Sequence, residues 1–473
     1  MRLLYTSRMS RIVVLGAGVI GLSTAIMLAQ RGHDVSVLER DSEPVPASPD
    51  ESWSAWARRG VVQFRQPHFL HAAGRHILDD RLPEVKEALL DSGCVSFAYM
   101  QTMPPSITDR SAREGDERFL TVTGRRTTIE YAIARMAKNL VDVQRGVTIA
   151  NLMVSPRSAG VPHVTGVRMT DDREVTADLI IDATGRASKL PSWLEAIGAR
   201  RPIEEVEESG FIYYTRFFRS PTGEVPRCRA ALLTHFHTFS LLTLPGDSKT
   251  WSATVFIYSG DPALKEVRHL KHWTRLFTAC PMHAHWLDGD PISDVLSMGG
   301  VTDRYRRFVL DGAPVATGII AVGDAWACTN PVNGRGITMG LMHAAGTVDL
   351  VDQHLKDPLA LALAHDAMTE ARVTPWYRHT VEFDRKRTSQ IKANIEGQPL
   401  PRPSEAGDAL PMASVHDPDL FRAFIEINSM LALPSEVLAR PGLVERIMHV
   451  ASTHDAIVPP SPSRNELLRM LAS

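Results

Sequence analysis

The sequence predicts an α/β protein with three parts. A parallel-sheet domain is assembled from separate stretches of chain, and an antiparallel β-sheet domain and a helical C-terminal region complete it. Three observations predict this. Two short apolar runs, Ile12 to Leu15 and Ile319 to Val322, each lead into a glycine-rich turn and then a helical pattern. Between them lies a stretch rich in β-branched and aromatic residues with a clear turn signal. Beyond them the chain reads as helix, broken by Pro399–Pro403 and Pro459–Pro462.

With 473 residues, the chain is long enough for two or three domains and a large core. A net charge of -2 gives no basic footprint for nucleic acid or an anionic membrane. No apolar run is long enough to span a bilayer. Met1 to Met9 reads as a short disordered lead, because it has no separate apolar core and cleavage site; Met9 also fits as a start. Cys94, Cys228, Cys280 and Cys328 lack metal spacing and read as free thiols of a reducing cytoplasm, so a cytoplasmic location and no metal are expected.

The first element is a buried central strand, Ile12 to Leu15, of mostly β-branched residues. It runs into Gly16-Ala17-Gly18-Val19-Ile20-Gly21. Gly16 suits a tight turn, Gly18 the approach of backbone to a pyrophosphate, and Gly21 the packing of the next helix. Val19 to Arg31 has a helical pattern, and Gly32 falls where a left-handed residue ends a helix. Asp34 to Leu38 reads as an alternating strand. Glu39 ends it, about 20 residues past the loop, where an acid accepts hydrogen bonds from ribose hydroxyls. A negative charge there disfavours a 2′-phosphate, which leaves NAD or FAD.

The second apolar run ends in Gly323-Asp324-Ala325. An aspartate at a strand end suits a ribityl hydroxyl. Pro331 closes the following loop, and Gly334 and Gly336 permit unusual backbone angles. Ile337 to Leu350 then reads as a helix, with Gly340 and Gly346 allowing close packing. Its N-terminus would offer free N–H groups and a positive dipole to negative charge on a flavin. The two signals together, in this order, select FAD.

The pairing of these segments resembles the FAD-dependent monooxygenase superfamily with the para-hydroxybenzoate hydroxylase-like fold. Further stretches resemble a bacterial subgroup that includes the flavin epoxidases of polyether biosynthesis. They are Arg58-Arg59-Gly60-Val61-Val62-Gln63 with His68, Arg126-Thr127-Thr128-Ile129-Glu130, and Asp182-Ala183-Thr184-Gly185-Arg186-Ala187-Ser188 with Pro191 to Leu194. The resemblance covers most of residues 11–350 and is thin beyond them. It implies a Rossmann-like, discontinuous domain holding FAD without a covalent link. It also implies cofactor contacts from Arg40, Arg58, Gln63, Arg126 and Asp182 alongside the glycines, Glu39, Asp324, Pro331 and Ile337. The reaction implied is a monooxygenation, either epoxidation or hydroxylation. One oxygen atom of O2 passes through a flavin C4a-hydroperoxide to an apolar substrate, such as an alkene or aromatic of secondary metabolism.

There is one departure. Aromatic hydroxylases of this fold carry an Asp-Gly pair and a later arginine where this chain has Thr184 and Pro191. That pair serves both FAD and NADPH, so a separate flavin reductase is the expected electron source, with direct NAD(P)H reduction as the alternative. Three other readings stay open: an FAD dehydrogenase or reductase acting on C–C bonds, a flavin halogenase, and a non-catalytic FAD-binding protein. The halogenase motifs W-x-W-x-I-P and G-G-x-x-x-K are absent.

No second complete dinucleotide fingerprint follows a strand, so the FAD domain is expected from 9–96, 125–200 and 305–350. The substrate domain is then 97–124 with 201–304, and 351–473 is a helical region over the substrate cavity or at an oligomer contact. Position alone suggests that Arg145 to Ile149 is the strand whose Val147 backbone meets adenine. Phe211 to Phe218 reads as a strand with Phe211, Tyr213, Thr215 and Phe217 on one face. That face either lines the substrate cavity, making Tyr213, Thr215 and Phe217 substrate-side candidates, or packs against helices. His235 to Leu244 and Trp251 to Tyr258 read as strands around the turn Pro245-Gly246-Asp247-Ser248. His68 and His71 either orient substrate, bind phosphate or are simply structural.

Overall fold

The computed structural model describes residues 9–158 and 160–472. The expected N-terminal lead up to residue 8 lies outside them. Strand β1 (Arg11–Leu15) is buried at every residue but Arg11. Helix α1 (Val19–Gln30) follows and ends where Gly32, at φ 85°, donates to Ala29 O. Strand β2 (Asp34–Glu39) does not alternate as expected. All of it past Asp34 is buried, because it lies inside a sheet covered on both faces.

Helix α2 (Arg126–Ala137) and strand β3 (Asp142–Arg145) return to this layer, and strand β4 (Leu179–Asp182) follows. The expected strand through Val147 stops at Arg145. Gly146, at φ 74°, turns the chain there, and Val147 N donates to Glu39 O from the connection. Strands β5 (Phe211–Arg219), β6 (Phe239–Pro245) and β7 (Thr250–Tyr258) form the middle of the antiparallel sheet. Strand β8 (Ile319–Ala321) completes the parallel sheet, and helices α3 (Gly336–His354), α4 (Pro358–Arg372) and α5 (Thr374–Ile395) begin the helical region.

The parallel sheet has the order β8-β4-β1-β2-β3. Its strands therefore come from three distant parts of the chain, and the Rossmann-like region is discontinuous. Helix α3 starts one residue earlier and runs one turn longer than the pattern predicts. A Cβ on Gly340 would lie 2.5 Å from Ile20 Cδ1, so this glycine lets α3 lie against α1.

In the antiparallel sheet, β5 pairs with β7 from Phe211 opposite Tyr258 to Arg219 opposite Thr250. One face carries Tyr214 and Phe218 into a core with Trp251, Trp273 and Phe277. The expected strand from His235 to Leu244 is instead a hairpin. Leu233–His235 folds back on β6, Phe236 N donates to Phe239 O, and the two phenylalanine rings stack at 4.8 Å. No helix among the described residues is long and apolar enough to cross a membrane.

The turn between β6 and β7 also joins the two sheets. Asp247 is fully buried. Its carboxylate accepts from Arg125 N at 2.7 Å, Arg125 Nη2 at 2.6 Å and Thr128 Oγ1 at 2.9 Å, all at the start of α2. Removing one member of such a pair strands the other charge in the core. Asp247→Ala is expected to destabilise the protein by about 3–5 kcal/mol. Chemical denaturation of variant and wild type measures this; a loss of about 1 kcal/mol or less, as for an exposed pair, would contradict a buried tie.

Candidate functional site

The turns that follow β1, β4 and β8 all open at the carboxyl edge of the parallel sheet, where ligands of such sheets bind. With the start of α3 they line one cleft of about 1760 Å³, its open mouth included. At the first turn, Gly16 has φ 98°, and a Cβ there would lie 2.7 Å from Ala183 O. A Cβ on Gly21 would meet Gly16 O at 2.0 Å, so Gly21 packs α1 against the turn and does not line the cleft. Gly18 lines the cleft, and a Cβ on it would meet nothing within 4 Å. A ligand can therefore reach its backbone.

Glu39 is buried at the end of β2 and lines the cleft. Its Oε2 accepts from Ala17 N at 2.6 Å and its Oε1 from Asp41 N at 2.8 Å, which fixes the carboxylate before any ligand arrives. The Arg58 guanidinium joins three acids: Glu39 at 3.2 Å, Asp41 at 3.0 Å and Glu130 at 3.0 Å. Arg126 Nε donates to Glu130 Oε1 at 2.8 Å and faces the same cleft. Arg40 and Gln63 also line it, as does Val147. A Cβ on Gly60 would lie 3.0 Å from Arg40 Nη2, the mobile end of a long side chain.

At the other end Asp324 lines the cleft, and among the described residues its carboxylate accepts no hydrogen bond. Burial raises its pKa, opposed by the charges of Arg186 and Arg126. An acid held this way lacks a donor. Pro331, Gly334, Gly336 and Ile337 complete this end, with Gly334 at φ 64°. The first helical bond of α3 runs from Met339 N to Arg335 O, so the N–H groups of Gly336 and Ile337 are not taken by the helix.

Several sequence candidates lie elsewhere. Asp182 is buried beneath the cleft wall, and its carboxylate accepts from Thr184 N, Thr184 Oγ1 and Ser188 Oγ, so it shapes the turn. Gly323 lies behind Asp324, at φ 58° against Ile20. Tyr213, Thr215 and Phe217 are buried and do not line the cleft, because packing occupies their face. Tyr213 joins Phe256, Met298, Val332 and Ile391 of α5, Thr215 Oγ1 donates to Gln66 Oε1 at 2.7 Å, and Phe217 meets the Trp53 ring at 4.8 Å. His68 lines the cleft with its pKa lowered to about 3, by burial and then by Arg126, so it faces a ligand as a neutral ring. His71 does not line it; His71 Nε2 lies 2.6 Å from Asn333 O and thus supports the loop before α3.

Sequence reasoning assigned no role to Arg186 and Lys189, which bring two further positive charges to the cleft; the motif quoted around them was the available signal. It gave no signal for a polar cluster behind the Asn330–Arg335 loop. There Asn330 Oδ1 accepts from Tyr213 OH and Asn330 N donates to Asp303 Oδ1. Asp384 of α5 is buried with neither oxygen in a hydrogen bond of acceptable geometry. Burial and then the Asp303 charge push its pKa up to about 8, against the nearby Asn330 amide and Arg335. These residues come from four separate segments.

Residues 11–113 match the family described as FAD dependent oxidoreductase. Over 360 residues, 70% of this chain and 71% of the other, the sequence is 29% identical to Protein Rv3254 of Mycobacterium tuberculosis. It is 25% identical over 380 residues, 77% of this chain and 82% of the other, to digeranylgeranylglycerophospholipid reductase of Haloferax volcanii. Among solved structures, the probable FAD-dependent monooxygenase pqsL of Pseudomonas aeruginosa superposes with a TM-score of 0.57 at 17% identity. That match covers 82% of this chain and 100% of the other. The strand order, the cleft at the strand ends and these likenesses show that the chain shares the fold of that probable FAD-dependent monooxygenase.

Proposed function

We propose that this chain is an FAD-dependent monooxygenase that transfers one oxygen atom of O2 to an apolar organic substrate. The observation that carries the reading is the single cleft with an open Gly18 backbone at one end and the partnerless Asp324 carboxylate at the other. Those features suit a long cofactor with a pyrophosphate in its middle and hydroxyls on either side. Gly16 and Gly18 would meet the pyrophosphate, with Arg126 nearby to offset its charge. Glu39 would accept from the ribose, Arg40, Gln63 and Val147 would border the adenine side, and Asp324 would accept from the ribityl chain. Pro331, Gly334, Gly336 and Ile337 would meet the ring system. Bound there without a covalent link, FAD supplies the redox and oxygen chemistry.

This chain's own residues then bind, orient and exclude water. Met298, Val301, Pro67 and Val61 give the cleft apolar walls, which supports an apolar substrate. Thr184 faces the cleft without a charge, and Pro191 sits at the start of the helix Leu190–Ala196 and does not line it. Their neutrality supports a separate flavin reductase over direct NAD(P)H reduction. The likeness to the Haloferax reductase favours one second reading, reduction of a C–C double bond on the same flavin.

Asp324→Ala is expected to weaken FAD binding at least tenfold, since a hydrogen bond to a charged group is worth about 1.5–3 kcal/mol. Titration of apoprotein with FAD measures it; an unchanged dissociation constant removes Asp324 from the site. The reaction class is tested by anaerobic mixing of FAD-loaded protein with NADH or NADPH, with and without a flavin reductase. Exposure to 18O-labelled O2 and a panel of apolar alkenes and aromatics follows. We expect slow flavin bleaching without the reductase and one labelled oxygen in a product. Product with two added hydrogens and no label supports the reductase reading and contradicts oxygenation.

A further inference from the structure

The Gly323–Asp324 turn is fixed by bonds on several sides. Val322 N donates to Asp182 O, Trp326 N donates to Gly323 O, and Arg306 Nη1 donates to Ala325 O. Gly323 N has a different kind of partner. It donates to Nδ1 of His343, at 3.3 Å. His343 is fully buried in α3, its ring edge-on to Trp326 at 5.0 Å and stacked on His365 at 4.9 Å.

That contact settles the imidazole's protonation pattern. A backbone N–H can only donate, so Nδ1 must be bare and Nε2 must carry the proton. The other side of the ring agrees. Thr369 Oγ1 donates to His365 O at 2.7 Å, which leaves it as an acceptor 3.1 Å from His343 Nε2. His365 Nε2, 3.1 Å from the same nitrogen, has its own acceptor 3.1 Å away in Thr347 Oγ1, which itself donates to His343 O. Burial and then His365 hold His343 well below the usual histidine range, so the ring stays neutral. Two independent hydrogen bonds, one from the turn and one to α4, thus select one tautomer.

The placement has a consequence for the cleft. Helix α3 starts at Gly336, in the cleft wall, and His343 lies about two turns further along the same helix. One rigid element therefore presents its N-terminus to the cleft and grips the turn that carries Asp324. We propose that His343 is a positioning residue for the cofactor: it fixes the Gly323–Asp324 turn to α3, so that the Asp324 carboxylate and the α3 N-terminus meet FAD in a set relative geometry. This rests on the FAD reading above.

The test uses two substitutions of nearly equal size. In His343→Asn the side-chain oxygen can take the place of Nδ1 and accept from Gly323 N–H, whereas His343→Leu has no acceptor. Apoproteins are titrated with FAD, and the apo melting temperatures are recorded in parallel. We expect the Asn variant to bind FAD within about twofold of wild type and the Leu variant to bind about tenfold more weakly, the size of one lost hydrogen bond. Equal affinity in all three, or equal weakening in both variants, overturns the proposal; the second result would assign His343 to ring packing alone. No FAD binding by wild type overturns the FAD reading and this inference with it. A readout that needs no variant is nitrogen NMR of histidine-labelled holoprotein. Nδ1 of His343 is expected bare through the neutral pH range, and a protonated Nδ1 overturns the assignment.

Discussion

The site depends on the guanidinium of Arg58. Three acids, Glu39, Asp41 and Glu130, converge where the first glycine turn, the end of β2 and helix α2 meet. Without a cation among them their repulsion would open that corner of the cleft. Arg58 is buried, bonds all three, and also donates to Ala17 O of the glycine turn at 3.2 Å. Arg126 and Arg145 stand close enough to share the load, so three guanidiniums balance three carboxylates. In the proposed FAD site, that balance would let Glu39 meet ribose hydroxyls close to the incoming phosphate charges. Removing Arg58 would leave three carboxylates facing two guanidiniums and strip each acid of one bond, a larger loss than its own hydrogen bonds suggest.

The helical region acts on the same cleft from behind. Arg335, just before α3, donates to Thr380 Oγ1 of α5 and lies over the Trp376 ring at 5.6 Å. Burial lowers its pKa to about 10. Asp384, on the next turn of α5, faces this loop in a mostly protonated state at neutral pH. The loop that would border a flavin is therefore backed by polar groups rather than by an apolar core. Its conformation is set by α5 as much as by its own glycines.

Much of the cleft around the first and last strands was legible because the constraints are local. Gly16 and Gly21 do steric work that a sequence pattern can express, Gly18 leaves the cleft beside it clear, and Glu39 ends one buried strand while Asp324 follows another. The packing of the antiparallel sheet was not legible. Alternation on β5 shows which residues share a face, but not that Ile391 and Val332 fill it. Asp247 reads as a turn residue because its partner, Arg125, is 122 positions away. The hairpin at Phe236 was hidden by high β propensity on both sides of a turn that lacks glycine and proline. Asp384 has no pattern at all: it matters through neighbours brought by packing.

The central claim is that the cleft is built for FAD and that the Gly18 backbone is its entry point. Gly18 has φ −81° and ψ 179°, extended backbone open to any residue, and the space beside it is empty of protein. A valine there should fold normally and fill only the cleft. The direct test is titration of wild-type and Gly18→Val apoproteins with FAD, FMN and NAD, with folding followed by circular dichroism. The account predicts that the wild type takes up one FAD in preference to FMN and NAD, and that the folded valine variant takes up none. A yellow, folded Gly18→Val protein with wild-type affinity, or a wild type that prefers NAD, would contradict it.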